Sequence, residues 1–319
     1  MSLTRTGISS GRRRVGLVLS SGVARGWAHI GAIRALTRLG VAIDIVAGCS
    51  AGALVGGCWL ARQLDALEQW ALALNKRKVI SYLDLNLGRG GVIKGAKIVA
   101  ELRRLLGSLR IEELSIPFVA VTTDLVTGHE IWLQAGDLAE AVRASASLPG
   151  LFPPMEIERR WLADGALVDP LPVSACRALG ADLIIAINLN TDTLGKARRA
   201  AMPAPAALGF DPAVLDAQAR VSEGPLPESL TRGMFGQEGD KPNIFGVMTT
   251  SLSIMQDRLT RSRLAGDPPD VHITPRVGHI GLLEFERAEE AIREGEIAVE
   301  RKRPELRDAL EVMGLAIHG

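Results

Sequence analysis

Residues 15–57 read VGLVLSSGVARGWAHIGAIRALTRLGVAIDIVAGCSAGALVGG. An apolar run over 15–20 leads into a turn that contains glycine, and a segment with helical periodicity follows over 26–39. A second apolar run, 43–49, then leads into small residues over 50–60. Strand, turn, helix, strand and helix in this order predict a βαβ unit with two parallel strands.

The sequence Gly48-Cys49-Ser50-Ala51-Gly52 matches the G-x-S-x-G pattern of a nucleophile elbow. In such an elbow the serine backbone is strained so that its hydroxyl projects above the sheet, and the residues two before and two after it must be small. We therefore predict that Ser50 is a nucleophile, with a purely structural tight turn as the alternative interpretation. Cys49 is expected to point into the core.

The rest of the chain alternates strands with helices in the same way. Strands are predicted over 117–123 and 130–133, joined as a hairpin, and the sequence LIIAIN over 183–188 is typical of a buried strand. A last short strand is predicted over 270–273. This alternation predicts an α/β fold, a three-layer α/β/α sandwich with a mostly parallel central sheet.

Composition divides the chain into four parts. Residues 1–14 are polar and predict a flexible N-terminus, whereas residues 15–190 form the predicted catalytic core. Residues 191–243 are rich in Ala, Pro, Gly and charge, and about fifty residues without clear elements indicate a lid-like or a disordered insertion. Residues 244–319 are expected to add helices and a strand to the same domain.

Composition also argues against several classes of protein. The net charge is +1 and aromatic residues make up 4%, with one tyrosine, which argues against a nucleic-acid partner. Three cysteines without paired spacing indicate reduced thiols and a cytoplasmic location. No apolar run approaches the ~20 residues of a membrane span. The adjacent Arg12, Arg13 and Arg14 leave peripheral contact with anionic lipid as a minor alternative.

Ser50 requires a base, and the sequence offers two kinds. In an α/β-hydrolase triad the histidine follows the serine and the acid along the chain, so His272 or His279 would serve. Alternatively an aspartate acts directly: Asp164 ends a predicted strand in a D-G-A turn, and burial would raise its pKa from an ordinary value of about 3.9. Asp169, which precedes a proline, is expected to organise the turn. No cofactor is predicted, since no His, Cys or Asp cluster has metal-ligand spacing.

The loop SGVARG over 21–26 joins the first strand to the first helix. Its backbone N–H groups point along the positive end of the helix dipole, which suits an anionic oxygen. We predict an oxyanion hole formed by Gly22, Val23, Ala24 and Arg25. A nucleotide-binding loop is the alternative, but the G-x-G-x-x-G spacing is absent.

Together these motifs resemble the patatin-like phospholipase family. The similar segments, which span about residues 15–190, are LSSGVARGWAHIG, GCSAG, IPFVAVTTDLVTG, AVRASASLPGLFPP, LADGALVDPLPV and LGADLIIAINLN. The resemblance implies a patatin-like fold and an acyl hydrolase with a Ser-Asp dyad and no catalytic histidine. Ser50 would then be the nucleophile and Asp164 its base. A lipid or another acyl ester is the implied substrate.

One departure accompanies the resemblance. The family's loop reads G-G-G-x-R-G, and here Ser21 and Val23 replace two of the glycines. If the turn requires a positive φ at Val23, a β-branched residue there costs roughly 1–3 kcal/mol of strain. Three hypotheses therefore stand: a patatin-like lipid acyl hydrolase, an esterase with a Ser-Asp-His triad, and a catalytically weak regulatory protein on the same fold.

Overall fold

The computed structural model describes residues 12–76, 78–79, 96–191 and 244–315. Two predicted segments therefore lie outside the described residues: positions 1–11 of the N-terminus and positions 192–243 of the insertion. The division of the chain into four parts stays a prediction.

The described residues build an eight-stranded mixed sheet around which helices pack. Its strands are β1 Val15–Leu19, β2 Ile45–Cys49, β3 Phe118–Asp124, β4 Glu130–Leu133, β5 Met155–Ile157, β6 Arg160–Asp164, β7 Leu183–Ile187 and β8 Val271–Ile273. Their order is β5-β6-β3-β2-β1-β7-β8, with β4 paired to β3. Strands β1, β2, β3, β7 and β8 pair in parallel, while the pairs β3-β4, β3-β6 and β5-β6 are antiparallel. The predicted α/β class is confirmed.

Helices follow the strands in the alternating order that the sequence predicts. They are α1 Ala28–Arg38, α2 Ala51–Leu60, α3 Leu64–Leu72, α4 Ala96–Leu106, α5 Leu138–Ser145, α6 Val173–Ala178, α7 Ile244–Gly266, α8 Ala288–Arg301 and α9 Arg303–Val312. Short 3-10 turns lie at Val23–Trp27, Ile111–Glu113, Gly165–Leu167 and Phe285–Arg287. Across the part of the chain that the structure describes, no helix combines the length and the apolarity needed to cross a bilayer.

Alternate residues of the central strands face two separate apolar cores. Leu17 and Leu19 of β1 pack on one side with residues of α1, α2 and α8, whereas Val18 between them belongs to a second core formed with α6. The two-residue period of a β-strand produces this division. The sheet is therefore covered on both faces, as the three-layer prediction requires.

One edge of β3 carries two different strands in succession. The first half of β3 pairs with β2 and the second half pairs with β6. Strand β4 pairs with residues 120–123 of β3, which include residues paired with β2 and residues paired with β6. Strand β4 therefore occupies the opposite edge of β3, and β2 and β6 share one edge. Cys49 at the end of β2 lies opposite Val121, and Asp164 at the end of β6 lies opposite the next residue, Thr122. The residue that follows Cys49 is therefore brought next to Asp164.

Helices α1 and α8 approach so closely that glycine is needed at their contact. A β-carbon at Gly31 would lie 1.9 Å from the carbonyl oxygen of Ile292, and one at Gly295 would lie 1.9 Å from that of Ala28. Neither position can accept a side chain unless the two backbones separate. This contact fixes α8 against the helix that follows the glycine loop, so the C-terminal part of the chain supports the predicted core.

We expect Gly295→Ala to lower the free energy of unfolding by about 2–3 kcal/mol, because the added methyl group collides with a backbone carbonyl. Gly266→Ala at the end of α7 is the matched control, since its β-carbon would meet nothing within 4 Å and alanine is the better helix former. Urea unfolding of both variants measures the difference. Equal stability of the two variants would contradict the close packing of α1 on α8.

Candidate active site

The predicted elbow is present at the end of β2. Ser50 has φ 54° and ψ −117°, a backbone conformation that residues other than glycine rarely adopt. The motif's glycines are needed for space: a β-carbon at Gly48 would lie 2.6 Å from the Cα of Ala53, and one at Gly52 would lie 2.1 Å from the carbonyl oxygen of Leu19. The predicted reason for both glycines is confirmed, and the strained serine stands at the carboxyl edge of the sheet.

The Ser50 hydroxyl donates a hydrogen bond of 2.6 Å to Oδ2 of Asp164. The carboxylate is completely buried and the serine is 5% exposed. The second carboxylate oxygen, Oδ1, accepts the N–H of Ala166 at 2.8 Å and lies 3.9 Å from the thiol of Cys49. Asp164 therefore has one oxygen held by the scaffold and one oxygen directed at the serine hydroxyl.

Burial controls the chemistry of Asp164. It raises the pKa of this carboxyl to about 7, although hydrogen bonds from Ser50, Ala166 and Cys49 act in the opposite direction. An aspartate with an ordinary pKa of about 3.9 is a weak base, whereas a group with a pKa near 7 can take a proton at neutral pH. Cys49 is buried in the core as predicted, and burial raises the pKa of its thiol well above the usual value.

Two serines that the sequence analysis did not single out hold this pair in place. Ser145 Oγ accepts the backbone N–H of Ser50 at 2.9 Å and donates to the carbonyl of Val121 at 2.6 Å. The carbonyl of Ser147 accepts the backbone N–H of Asp164 at 3.0 Å. The sequence ASAS over 144–147 could have indicated both residues, because it places two hydroxyls among small apolar residues where α5 ends.

The glycine loop takes a strained turn at Val23, whose φ of 51° lies in the left-handed region. The amide of Ala24 donates to the carbonyl of Leu282 at 3.2 Å, and that of Arg25 donates to the carbonyl of Gly22 at 3.1 Å. These two N–H groups already donate hydrogen bonds to protein carbonyls, so the prediction that Ala24 and Arg25 bind an oxyanion needs correction. Within the described residues, the N–H groups of Gly22 and Val23 have no hydrogen-bond partner.

The side chain of Arg25 anchors the same loop. Its Nε donates to the carbonyl of Ile280 at 2.8 Å, and the residue is buried. Burial lowers the pKa of the guanidinium to about 10, while the negative charge of Glu284 acts in the opposite direction. The group stays cationic at neutral pH, and it ties the glycine loop to the segment before α8.

The histidines proposed for a triad make other contacts. His272 of β8 lies beside Asn188, with 3.2 Å between Nε2 and the side-chain nitrogen. The exposed His279 contacts Glu290, with 2.6 Å between Nε2 and the carboxylate. In the described parts of the chain, the side chain that accepts a hydrogen bond from the Ser50 hydroxyl is an aspartate and not a histidine.

Two further titratable residues have structural roles. His29 in α1 is buried, with Nε2 2.8 Å from the carbonyl of Ser20, and burial lowers its pKa to about 4, so it is neutral. Asp169 accepts the N–H of Leu171 at 3.3 Å, which confirms its place in the turn. Asp169 is buried, and Arg263 of α7 forms an ion pair with it at 3.1 Å.

An apolar cavity opens beside Ser50. Its empty space, including the part that is open to solvent, amounts to about 850 Å³. Its wall includes residues of the 3-10 turn Val23–Trp27 and of α2, α4 and α5. Large aliphatic side chains dominate this wall, among them Leu54, Val55, Leu102, Leu105, Val142 and Leu151. A wall of this kind suits an alkyl chain better than a polar substrate.

The sequence profile of the patatin-like phospholipase family matches residues 17–177. That range is half of the chain and contains the glycine loop, Ser50 and Asp164. The chain belongs to the patatin-like phospholipase family. An uncharacterised NTE family protein from Mycobacterium tuberculosis is 36% identical over 320 aligned residues, which cover 88% of this chain and 89% of that protein.

Other relatives of this patatin-like protein match it over a shorter segment. Lysophospholipase nte1 of Emericella nidulans is 35% identical over 184 residues, and neuropathy target esterase sws of Drosophila melanogaster is also 35% identical over 184 residues. The two matches cover 56% of this chain, but only 12% and 13% of the respective relatives. The resemblance carried by the motifs is confirmed at the level of the family.

The raised pKa of Asp164 predicts how the stability of this patatin-like protein depends on pH. Because the folded pKa of about 7 exceeds the unfolded value of about 3.9, the folded state binds the proton more tightly. The free energy of unfolding therefore falls as pH rises from about 4 to about 7. Asp164→Asn removes the titrating group and with it this loss. We therefore expect the free energy of unfolding of the variant, relative to that of wild type, to be roughly 2 kcal/mol higher at pH 8 than at pH 5.

Chemical denaturation of both proteins at the two pH values measures this gain. The exposed Asp308→Asn is the control, and its stability relative to wild type should change by less than ~0.5 kcal/mol over the same interval. The prediction is contradicted if the stability difference between Asp164→Asn and wild type does not vary with pH. The carboxyl would then have the same pKa in the folded and unfolded states.

Proposed function

We propose that this protein is a serine acyl hydrolase that cleaves ester bonds of lipids, with Ser50 as the nucleophile and Asp164 as its base. The observation that carries the proposal is the 2.6 Å hydrogen bond from the Ser50 hydroxyl to a buried carboxylate beside an apolar cavity. Membership of a phospholipase family supports a lipid ester as the substrate, as does the lysophospholipase among the relatives.

In the first step Ser50 Oγ attacks the ester carbonyl carbon while Asp164 Oδ2 takes the hydroxyl proton. The carbonyl electron pair moves to the oxygen, which gives a tetrahedral oxyanion. When this intermediate collapses, the bond to the alcohol oxygen breaks and Asp164 returns the proton to that oxygen. Water then attacks the acyl carbon while Asp164 takes a proton from it. The bond from that carbon to Ser50 Oγ breaks, Asp164 returns the proton to Oγ, and the fatty acid leaves.

We assign stabilisation of the oxyanion to the N–H groups of Gly22 and Val23, which are the N-cap and the first residue of the 3-10 turn Val23–Trp27. The loss of one such donor typically raises the barrier by ~3–4 kcal/mol, so a strained residue at this position has a functional reason. The φ of 51° at Val23 supports a working loop over the catalytically weak alternative, since the backbone keeps the turn despite the β-branched side chain.

The apolar cavity accepts the acyl chain in this proposal. Leu54 and Val55 of α2 line it together with Leu102 and Leu105 of α4, and each buried methylene contributes about 0.8 kcal/mol of transfer free energy. The ester therefore reaches the serine with its alkyl chain already removed from water. The reaction as proposed uses no cofactor, because Ser50 and Asp164 supply both the nucleophile and the proton acceptor.

We further propose a cytoplasmic location with peripheral contact to membranes through the lipid substrate. The three cysteines are unpaired and buried, which fits a reducing compartment. A nucleic-acid partner is not proposed, in line with the net charge of +1.

Hydrolysis of a lipid panel tests the proposed function. Wild type is expected to release fatty acid from lysophospholipids and other single-chain esters, and Ser50→Ala should lower kcat/KM on the order of 10³-fold or more. The exposed Ser108→Ala is the matched control and should keep full activity. Release of fatty acid by Ser50→Ala at the wild-type rate would refute the nucleophilic role of Ser50.

The same panel separates the dyad from the triad esterase. The double variant His272→Ala/His279→Ala removes the histidines that contact Asn188 and Glu290, and the dyad predicts activity within about threefold of wild type. A loss as large as that of Ser50→Ala, in a double variant that still unfolds cooperatively, would favour the triad.

A further inference from the structure

Arg143 of α5 is a buried cation in the wall of the cavity that contains Ser50. The residue is 6% exposed, and its guanidinium carbon lies 4.9 Å from the ring centroid of Phe152, which lines the same cavity. The other charged residue among the described lining, Glu101, is paired with Arg104 at 2.5 Å. A guanidinium in an otherwise apolar wall requires a reason, because removing a cation from water is costly.

Protein acceptors use only part of the hydrogen-bonding capacity of this guanidinium. Nη1 donates to Ser147 Oγ at 2.7 Å, and Nη2 donates to the carbonyl of Pro153 at 3.4 Å. A guanidinium has five N–H donors, so within the described ranges three of them lack a protein acceptor. No carboxylate of the described chain forms an ion pair with Arg143, and burial lowers its pKa without an opposing negative charge.

We propose that Arg143 binds the phosphate of the lipid substrate while the ester carbonyl lies at Ser50. This inference rests on the hydrolase function proposed above and names the residue that recognises the phosphate of such a substrate. Before attack the ester group is neutral, so an anionic group of the substrate must lie on its alcohol part. Guanidinium groups match phosphate in charge and geometry, since two parallel N–H donors reach two phosphate oxygens.

The position of Arg143 relative to the dyad fits this assignment. Ser147 accepts from the guanidinium through its hydroxyl, and through its carbonyl it accepts the backbone N–H of Asp164 at 3.0 Å. One residue therefore contacts both the cation and the base, so a phosphate site at Arg143 is a neighbour of the ester site. The same link allows Arg143 to be only a positioning residue for Asp164, which would affect all esters equally.

Hydrolysis of two esters with the same acyl chain separates these roles: 1-acyl-lysophosphatidic acid carries the phosphate and 1-monoacylglycerol lacks it. We expect Arg143→Gln to lower kcat/KM about 10- to 100-fold more for the phosphate ester, mainly through KM. Arg143→Lys keeps the charge but not the planar fork and should give an intermediate loss. Arg38→Gln, which removes an exposed arginine of α1, should leave the ratio unchanged. Equal losses on both esters, or no loss on either, would overturn the proposal.

Binding to the Ser50→Ala protein keeps the test independent of hydrolysis. Calorimetry compares 1-O-octylglycerol 3-phosphate with 1-O-octylglycerol, two short-chain ethers that cannot be cleaved. Arg143→Gln in this background should weaken binding of the phosphate ether about 10- to 100-fold and leave that of the neutral ether unchanged. Octanoate serves as a third ligand, and a loss confined to it would assign Arg143 to the product carboxylate and overturn the phosphate assignment.

The two experiments also separate the two proposals. If wild type hydrolysed no ester but the phosphate ether lost affinity in the Arg143→Gln variant, the hydrolase function would fail and the phosphate site would stand. If Arg143→Gln changed the affinity for neither ether, the phosphate site would be rejected whatever the panel shows. Thermal unfolding of each variant verifies folding, and Arg143→Lys replaces Arg143→Gln in both tests if the latter does not fold.

Discussion

The candidate site depends on the way two strands share one edge of β3. Because β2 pairs with the first half and β6 with the second, Cys49 and Asp164 lie opposite consecutive residues, Val121 and Thr122. Ser50 follows Cys49 directly, and the elbow brings its hydroxyl to 2.6 Å from the carboxylate. A slip of one residue in the β3–β6 register would turn Asp164 to the other face of the sheet and remove the proposed base.

This arrangement places strain and an uncompensated charge at the same edge of the sheet. Ser50 and Val23 both have positive φ, which costs on the order of 1–3 kcal/mol each. Burial of Asp164 adds an electrostatic cost that grows as pH rises from about 4 to about 7. The apolar cores on both faces of the sheet and the glycine contact between α1 and α8 offset these terms. Unfavourable features concentrated at one site are typical of function, and a purely structural turn would not require them.

Short-range patterns predicted the alternation of strands and helices and the strained turn at Ser50, because periodicity and glycine spacing act within a few residues. Asp164 was found through its motif at a strand end. Contacts between distant segments could not be predicted: the amide of Ala24 donates to Leu282, which the sequence places in a separate region of the chain. Arg143 was missed because an arginine in a short helix usually faces water, whereas here it lines a cavity to which segments distant in the sequence, such as α2 and α4, also contribute.

Covalent labelling tests whether Asp164 activates Ser50. A fluorophosphonate reacts with an activated serine, and peptide mass spectrometry identifies the labelled residue. We expect labelling of Ser50 in wild type, at a rate that rises with pH to about 7 and then stays level. Folded Asp164→Asn should react on the order of 100-fold more slowly. Labelling of Asp164→Asn at the wild-type rate, or of a different serine in wild type, would contradict the claim.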